Sequence, residues 1–240
     1  MRLFFGLCLF ILFGCTETCA AELEIQVKGQ KVSLPYWPCM TKQPYGGVLI
    51  VQGGPAVAPL LVDYLAKQLA SLGWSVALLN VNQQGTATPW IEQLPDALSA
   101  LRQKSNQRLI LLHYGGQLQV LIDYFSKLQS KQVNGLILLS AFNLPENKNI
   151  VDLLQKIPFP LLDITGQFDY DMILAQAKGR EQPENKRYSD LQVPGAEHDY
   201  YYTKRLLAAY LHGWMIKLPA ATPAKPPIIL DTPSLQPRPR

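Results

Sequence analysis

A chain of 240 residues holds one sizeable domain and is short for two. Its 48% hydrophobic content excludes wholesale disorder, while 17% charged residues is low and points to apolar segments that inflate the average. A net charge of +4 is too mild to require a nucleic-acid or membrane partner, and the four cysteines all fall by residue 39, so nothing later can form a disulfide or a thiolate metal site.

The first element is an apolar leader. Arg2 precedes an almost unbroken apolar run from Leu3 to Phe13, followed by small and polar residues. This reads as a secretory signal over residues 1–21, too short for a comfortable membrane span. Cleavage after Ala20 or Ala21 leaves Cys39 as the sole cysteine. The alternative is lipidation at Cys15, because Leu12-Phe13-Gly14-Cys15 resembles a bacterial lipoprotein box, although Phe13 is bulkier than that box usually takes. Cys19 and Cys39 then both survive and can pair in an oxidising compartment. Both routes imply a periplasmic or secreted protein, anchored to the membrane in the second case.

Residues 22–217 alternate between strand-like and helix-like segments. Leu23–Val27 and Lys31–Leu34 flank a Gly-containing turn and read as a hairpin. Val48–Val51 is a short apolar strand ending in Gly53-Gly54-Pro55. Leu61, Leu65, Leu69 and Leu72 recur at helical spacing up to Gly73. Val76–Leu79 is the next strand, then a helix over Asp96–Gln103. A strand over Arg108–Leu112 runs into His113-Tyr114-Gly115-Gly116, and a helix over Gln117–Leu128 follows. The remaining strands are Leu136–Leu139, Pro160–Ile164 and Tyr188–Val193. Helices over Val151–Ile157, Met172–Ala177 and Thr203–Lys217 accompany them. Continuous apolar strands separated by helices imply a mostly parallel sheet covered on both faces, with the opening hairpin antiparallel at one edge. Residues 218–240 form a proline-rich tail, with Pro219, Pro223, Pro226, Pro227, Pro233, Pro237 and Pro239. Such density blocks ladders and helices and predicts an extended, disordered segment.

In a parallel sheet, chemistry collects beyond the carboxyl ends of the strands. Four stretches lie there: Gln52–Pro55, His113–Gly116, Gly166–Asp169 and Pro194–His198. In this order they resemble the α/β-hydrolase fold from about residue 23 to 217. The resemblance assigns an oxyanion-type backbone donor to Gly54 and another to Gly115, the acid to Asp169 and the base to His198. The nucleophile elbow, usually G-x-S-x-G, reads Leu112-His113-Tyr114-Gly115-Gly116 and places Tyr114 where serine belongs. A phenol oxygen reaches several ångströms further than a serine oxygen. It would overshoot His198 while its ring fills the pocket, so a serine-hydrolase mechanism is expected to be disabled. Ser140, at the end of a strand, is the alternative nucleophile, with a strand-end hydrogen bonder as the other reading. Asp169 and His198 are either a structural brace between two loops or a residual catalytic pair. His113 beside the elbow reads as structural, and His212 as a capping or surface residue. Of the Tyr200-Tyr201-Tyr202 run, packing and ligand stacking are both open.

No phosphate-binding loop, dinucleotide fingerprint or metal-ligand spacing occurs, so no cofactor and no metal are expected. The export signal, the altered elbow, the stretch from Val193 to Trp214 and the short insertion over residues 141–159 make the chain similar to an uncharacterised family of exported bacterial α/β-hydrolase-like proteins. The short insertion implies that no substantial lid covers the strand ends. The combined expectation is a non-catalytic binding or envelope-associated protein whose partner is a small molecule or an envelope protein, not nucleic acid. An active hydrolase using Ser140 or a water activated by His198–Asp169 is one alternative. A lipid-anchored scaffold is the other.

Overall fold

The computed structural model describes residues 20–54, 58–81, 89–104, 108–127, 133–145, 149–182 and 184–220. The leader to residue 19, Cys15 and Cys19 with it, and the tail from residue 221 lie outside the described residues.

Eight strands form one sheet in the order β1-β2-β4-β3-β5-β6-β7-β8. The hairpin pairs β1 (Ala21–Val27) with β2 (Gln30–Trp37), and its two-residue turn places Lys28 and Gly29 at positive φ. That geometry matches the right-handed twist of the flanking strands. Alternating residues Leu23, Ile25 and Val27 turn inward, while Glu22, Glu24 and Gln26 face solvent. β2 also pairs antiparallel with β4 (Trp74–Asn80). From β4 to β8 every pairing is parallel.

The central strands β3 (Gly46–Gly53), β5 (Leu109–Gly115) and β6 (Gly135–Leu139) are buried almost throughout. Each sends alternate side chains into two cores, which explains their unbroken apolar sequences. Val48, Ile50, Ile110 and Leu112 pack beneath α1 (Pro59–Ser71) and α6 (Lys204–Met215). Leu49, Val51, Leu109 and Leu111 pack on the other face, against α2 (Trp90–Lys104), α3 (Leu118–Phe125) and α4 (Ile150–Gln155). The edge is completed by β7 (Leu161–Phe168), α5 (Asp171–Arg180) and β8 (Tyr188–Glu197).

The chain leaves β3 for β4, then returns across β3 to form β5. The topological switch therefore falls between β3 and β5, where Gln52 lies opposite Tyr114 and Gly53 opposite Gly115. Ligand sites in such sheets form at this crevice. The insertion between β6 and β7 contains only α4 among the described residues, so the crevice has no substantial lid.

Several boundaries move outward from the sequence reading. α2 starts at Trp90 and contains Pro95, where proline was expected to precede the helix. Pro95 lies in the second turn, past the first-turn N–H groups that have no intrahelical partner, so it removes the helical hydrogen bond to the Ile91 carbonyl. β7 and β8 extend through residues assigned to loops. Pro194 is tolerated because β8 is the edge strand, with one side free of pairing. α3 ends at Phe125, three residues short of the expected helix. Domain packing continues past residue 217. Leu218 is buried and its carbonyl accepts a hydrogen bond from Arg108 Nε at 2.6 Å, while the Pro219 carbonyl accepts one from Asn134 Nδ2 at 3.3 Å.

Candidate functional site

At the switch point, β3 and β5 stay zipped to their last residues. The Gly116 amide donates to the Gly53 carbonyl at 2.6 Å. A Cβ on Gly53 would lie 2.1 Å from the Gly116 oxygen, so only glycine fits this approach. The continued pairing moves the turn. Positive φ falls at Gly115 (91°) and Gln117 (62°), not at Tyr114, which remains a strand residue. Tyr114, expected at the nucleophile position of the elbow, therefore precedes the turn. One of the two strained positions is Gly115, which has no side chain. The other, Gln117, accepts a hydrogen bond from Trp90 Nε1 at 2.7 Å.

Tyr114 instead points down, fully buried in the core beneath α1 and α6. Its hydroxyl donates to the main-chain oxygen of His198 at 3.0 Å and accepts from the Ala58 amide at 3.4 Å. The phenol thus passes the His198 ring, whose centroid is 5.8 Å from its own. Burial pushes its pKa far up, against the opposing effect of the Ala58 amide. A neutral phenol fixed in this way braces α1 to the β8 loop.

Asp169 and His198 come together. A bulge in the β7–β8 pairing between Gly166 and Phe168 turns the chain, and Asp169 Oδ1 meets His198 Nδ1 at 2.8 Å. The Tyr170 ring lies over the imidazole with centroids 4.6 Å apart, and His198 is buried. Burial alone would raise the Asp169 carboxyl. Hydrogen bonds from His198 and Ser140, with the histidine's charge, outweigh it and hold the group below the usual carboxylate range.

Ser140 supplies the second brace. It is fully buried at positive φ (42°) beyond β6, and its hydroxyl donates to Asp169 Oδ2. Tyr200, also fully buried, lies with its hydroxyl 2.8 Å from Ser140 Oγ. The nucleophile reading of Ser140 does not hold, because its oxygen is buried and directed at the acid instead of the crevice. Tyr200 was missed as a site residue. Its sequence signal was the run Tyr200–Tyr202, in which only Tyr200 packs inward, while Tyr201 and Tyr202 are exposed.

The other sequence candidates separate. Gly54, at the end of β3, has positive φ (91°) and open space where a side chain would stand. The carbonyl of Gly115 accepts the Phe142 amide at 3.0 Å. His113 is fully buried on the α2–α3 side, and its ring nitrogens make no hydrogen bond of ordinary geometry. Burial lowers its pKa to about 4, against the nearby Gly116 and Gly115 backbone. His212 accepts a hydrogen bond from Trp74 Nε1 at 3.1 Å and so ties α6 to β4, a role that neither capping nor surface exposure describes. Cys39 is a free, half-buried thiol beside Thr41. Among the described residues no group of three or more His, Cys, Asp or Glu could hold a metal ion.

No protein-family model matches the sequence, and no curated protein matches it. Solved structures do. An esterase domain from Rhodothermus marinus superposes with TM-score 0.66 at 14% identity, covering 82% of this chain and 98% of that one. A dienelactone hydrolase from Anabaena variabilis gives 0.65 at 14% identity, with 83% and 98% covered. A lidless α/β serine hydrolase from Xanthomonas campestris gives 0.63 at 17% identity, with 86% and 98% covered. The matches span nearly the whole of those chains, and at such identity the likeness concerns the backbone. With its mostly parallel sheet, its antiparallel hairpin and its Asp169–His198 pair beyond β7 and β8, this chain has the α/β-hydrolase fold.

Proposed function

We propose that this α/β-hydrolase-fold protein is an exported bacterial binding protein of the cell envelope that has no serine-hydrolase activity. The observation that carries the reading is the commitment of both candidate hydroxyls. Tyr114 gives its proton to the His198 carbonyl, and Ser140 gives its proton to Asp169. Attack on a carbonyl needs an oxygen at the crevice whose proton the imidazole can take. Of the two strained turn positions, one is a glycine and the other a glutamine held by Trp90. The Asp169–His198 pair then serves as a buried tie between the β7 and β8 ends. Export is supported by the apolar leader Leu3–Phe13.

A fluorophosphonate probe tests the reading. The purified protein is expected to stay unlabelled, and stoichiometric labelling overturns the assignment. A second reading, hydrolysis by water activated on His198, is favoured by the intact 2.8 Å contact to Asp169. It requires ester turnover that disappears in His198→Ala. Mass spectrometry of the mature N-terminus distinguishes a lipid-bearing Cys15, the scaffold reading, from a start near Glu22.

A further inference from the structure

A cleft of about 550 Å³ opens beside the tyrosine–histidine brace, between the start of α1 and the segment leading into α6. Its walls are apolar and aromatic, with Leu60, Leu61, Tyr64 and Tyr201 among them. The volume falls in the range of small-molecule sites, about 300–1,000 Å³. Ala58 joins it to the brace, since its amide contacts the Tyr114 hydroxyl, and Asp199 on its rim directly follows His198.

The charges around it are unequal in their partners. Asp63 is paired with Lys67 at 2.9 Å. Asp199 accepts the Tyr201 amide at 2.9 Å. Lys204 has no carboxylate partner among the described residues. Its ammonium is held between two ring faces instead, 4.9 Å from the centroid of Tyr64 and 5.1 Å from that of Tyr201. Ring faces hold a cation in place and leave its N–H donors for an anion. The position is itself unfavourable. α6 begins with Lys204 and Arg205 and has no acid in its first turn, although helix N-termini disfavour cations. The first turn of α1 has neither a side-chain cap nor an acid, which adds partial positive charge to a cleft that the ammonium and the aromatic walls define.

We propose that this cleft binds a monocarboxylate with an apolar body, its carboxylate on Lys204 and its hydrocarbon against Leu60, Leu61, Tyr64 and Tyr201. A single anionic charge fits because Lys67 is paired with Asp63, which leaves Lys204 facing the ligand, and Asp199 on the rim repels a dianion. The proposal rests on the binding-protein reading and names the ligand class for it.

Titration calorimetry with decanoate and decyltrimethylammonium tests it. Decanoate is expected to bind at one saturable site and the cation to show no binding. Lys204→Gln should weaken decanoate binding by about tenfold or more, equivalent to about 1.4 kcal/mol. Leu60→Asp should do the same by repulsion. Leu60 is 79% exposed in the first turn of α1, where an acid favours the helix, so this variant is expected to fold. Lys156→Gln, an exposed control on the far side of the sheet, should bind like the parent. Absence of saturable decanoate binding, equal binding of the cation, or undiminished binding by Lys204→Gln overturns the site. Hydrolysis of p-nitrophenyl decanoate is read on the same samples. Turnover with Lys204-dependent binding retained overturns the non-catalytic reading and leaves the site. Loss of both binding and turnover overturns the site and leaves that reading.

Discussion

Tyr114 shows how one residue of register alters what a side chain can do. Strand residues alternate between faces. Because β5 remains paired with β3 through Gly115, Tyr114 belongs with Ile110 and Leu112 and enters the core beneath α1 and α6. Replacing it with serine therefore opens a cavity and does not rebuild an elbow. Tyr114→Ser is expected to lose about 3–5 kcal/mol of stability, by analogy with large-to-small aromatic replacements, and to gain no esterase activity. Chemical denaturation and a p-nitrophenyl ester assay check both parts. A well-folded, esterolytic variant would return Tyr114 to the tip of the turn.

Among the elements, the β7–α5–β8 edge depends on one buried ion pair. Arg180 meets Asp163 through two contacts, Nε to Oδ2 at 2.8 Å and Nη2 to Oδ1 at 3.1 Å, with both side chains almost fully buried. Tyr188 on β8 donates to the same carboxylate at 3.1 Å. Desolvation opposes the guanidinium charge, but the Asp163 carboxylate overrides it and raises the pKa of Arg180 above its ordinary value. The pair thus links α5, β7 and β8 beneath the bulge that positions Asp169. Arg180→Leu leaves a buried carboxylate without its cation and should cost about 3–5 kcal/mol. The double variant Arg180→Leu/Asp163→Leu should recover most of that loss. Urea midpoints of the three proteins measure this, and equal losses for the single and double variants would show that packing, not charge, holds the edge.

For the whole molecule, acid stability should follow the buried histidine of the α2–α3 core. His113 is held neutral, with its pKa lowered from 6.5 to about 4 by burial. The unfolded chain therefore binds a proton that the folded chain does not. Stability is fully present above about pH 6.5 and falls as pH drops toward 4. At about 1.4 kcal/mol per pH unit, the loss reaches about 3 kcal/mol. His113→Leu should flatten this part of the profile. Asp169, held below the usual carboxylate range, adds a further loss at lower pH in both proteins. Denaturation midpoints at successive pH values separate the two, and identical slopes for parent and variant would remove His113 from the account. At the same scale, the carboxyl end of the sheet exposes Leu60, Leu144, Phe168, Tyr170, Tyr201 and Tyr202 around the crevice. Among the described residues no long lid covers them, which suits the proposed apolar ligand.

Apolar runs, glycine stops and their alternation determined the architecture from the sequence alone. Continuous strands such as Val48–Val51 can be buried only on both faces, and the order of strands and helices then yields the parallel sheet and its crevice. The positions of Asp169 and His198 were legible for the same reason, as residues beyond two strand ends. Only the tertiary structure decided how far each strand ran and where side chains pointed. Pairing partners extended β5, β7 and β8 past their apolar segments, and that extension moved the turn beyond Tyr114. The hydroxyls of Ser140 and Tyr200 and the ammonium of Lys204 found their neighbours across 29, 60 and 140 residues of sequence. No local pattern encodes such contacts, because they arise from packing one face of the sheet against distant helices.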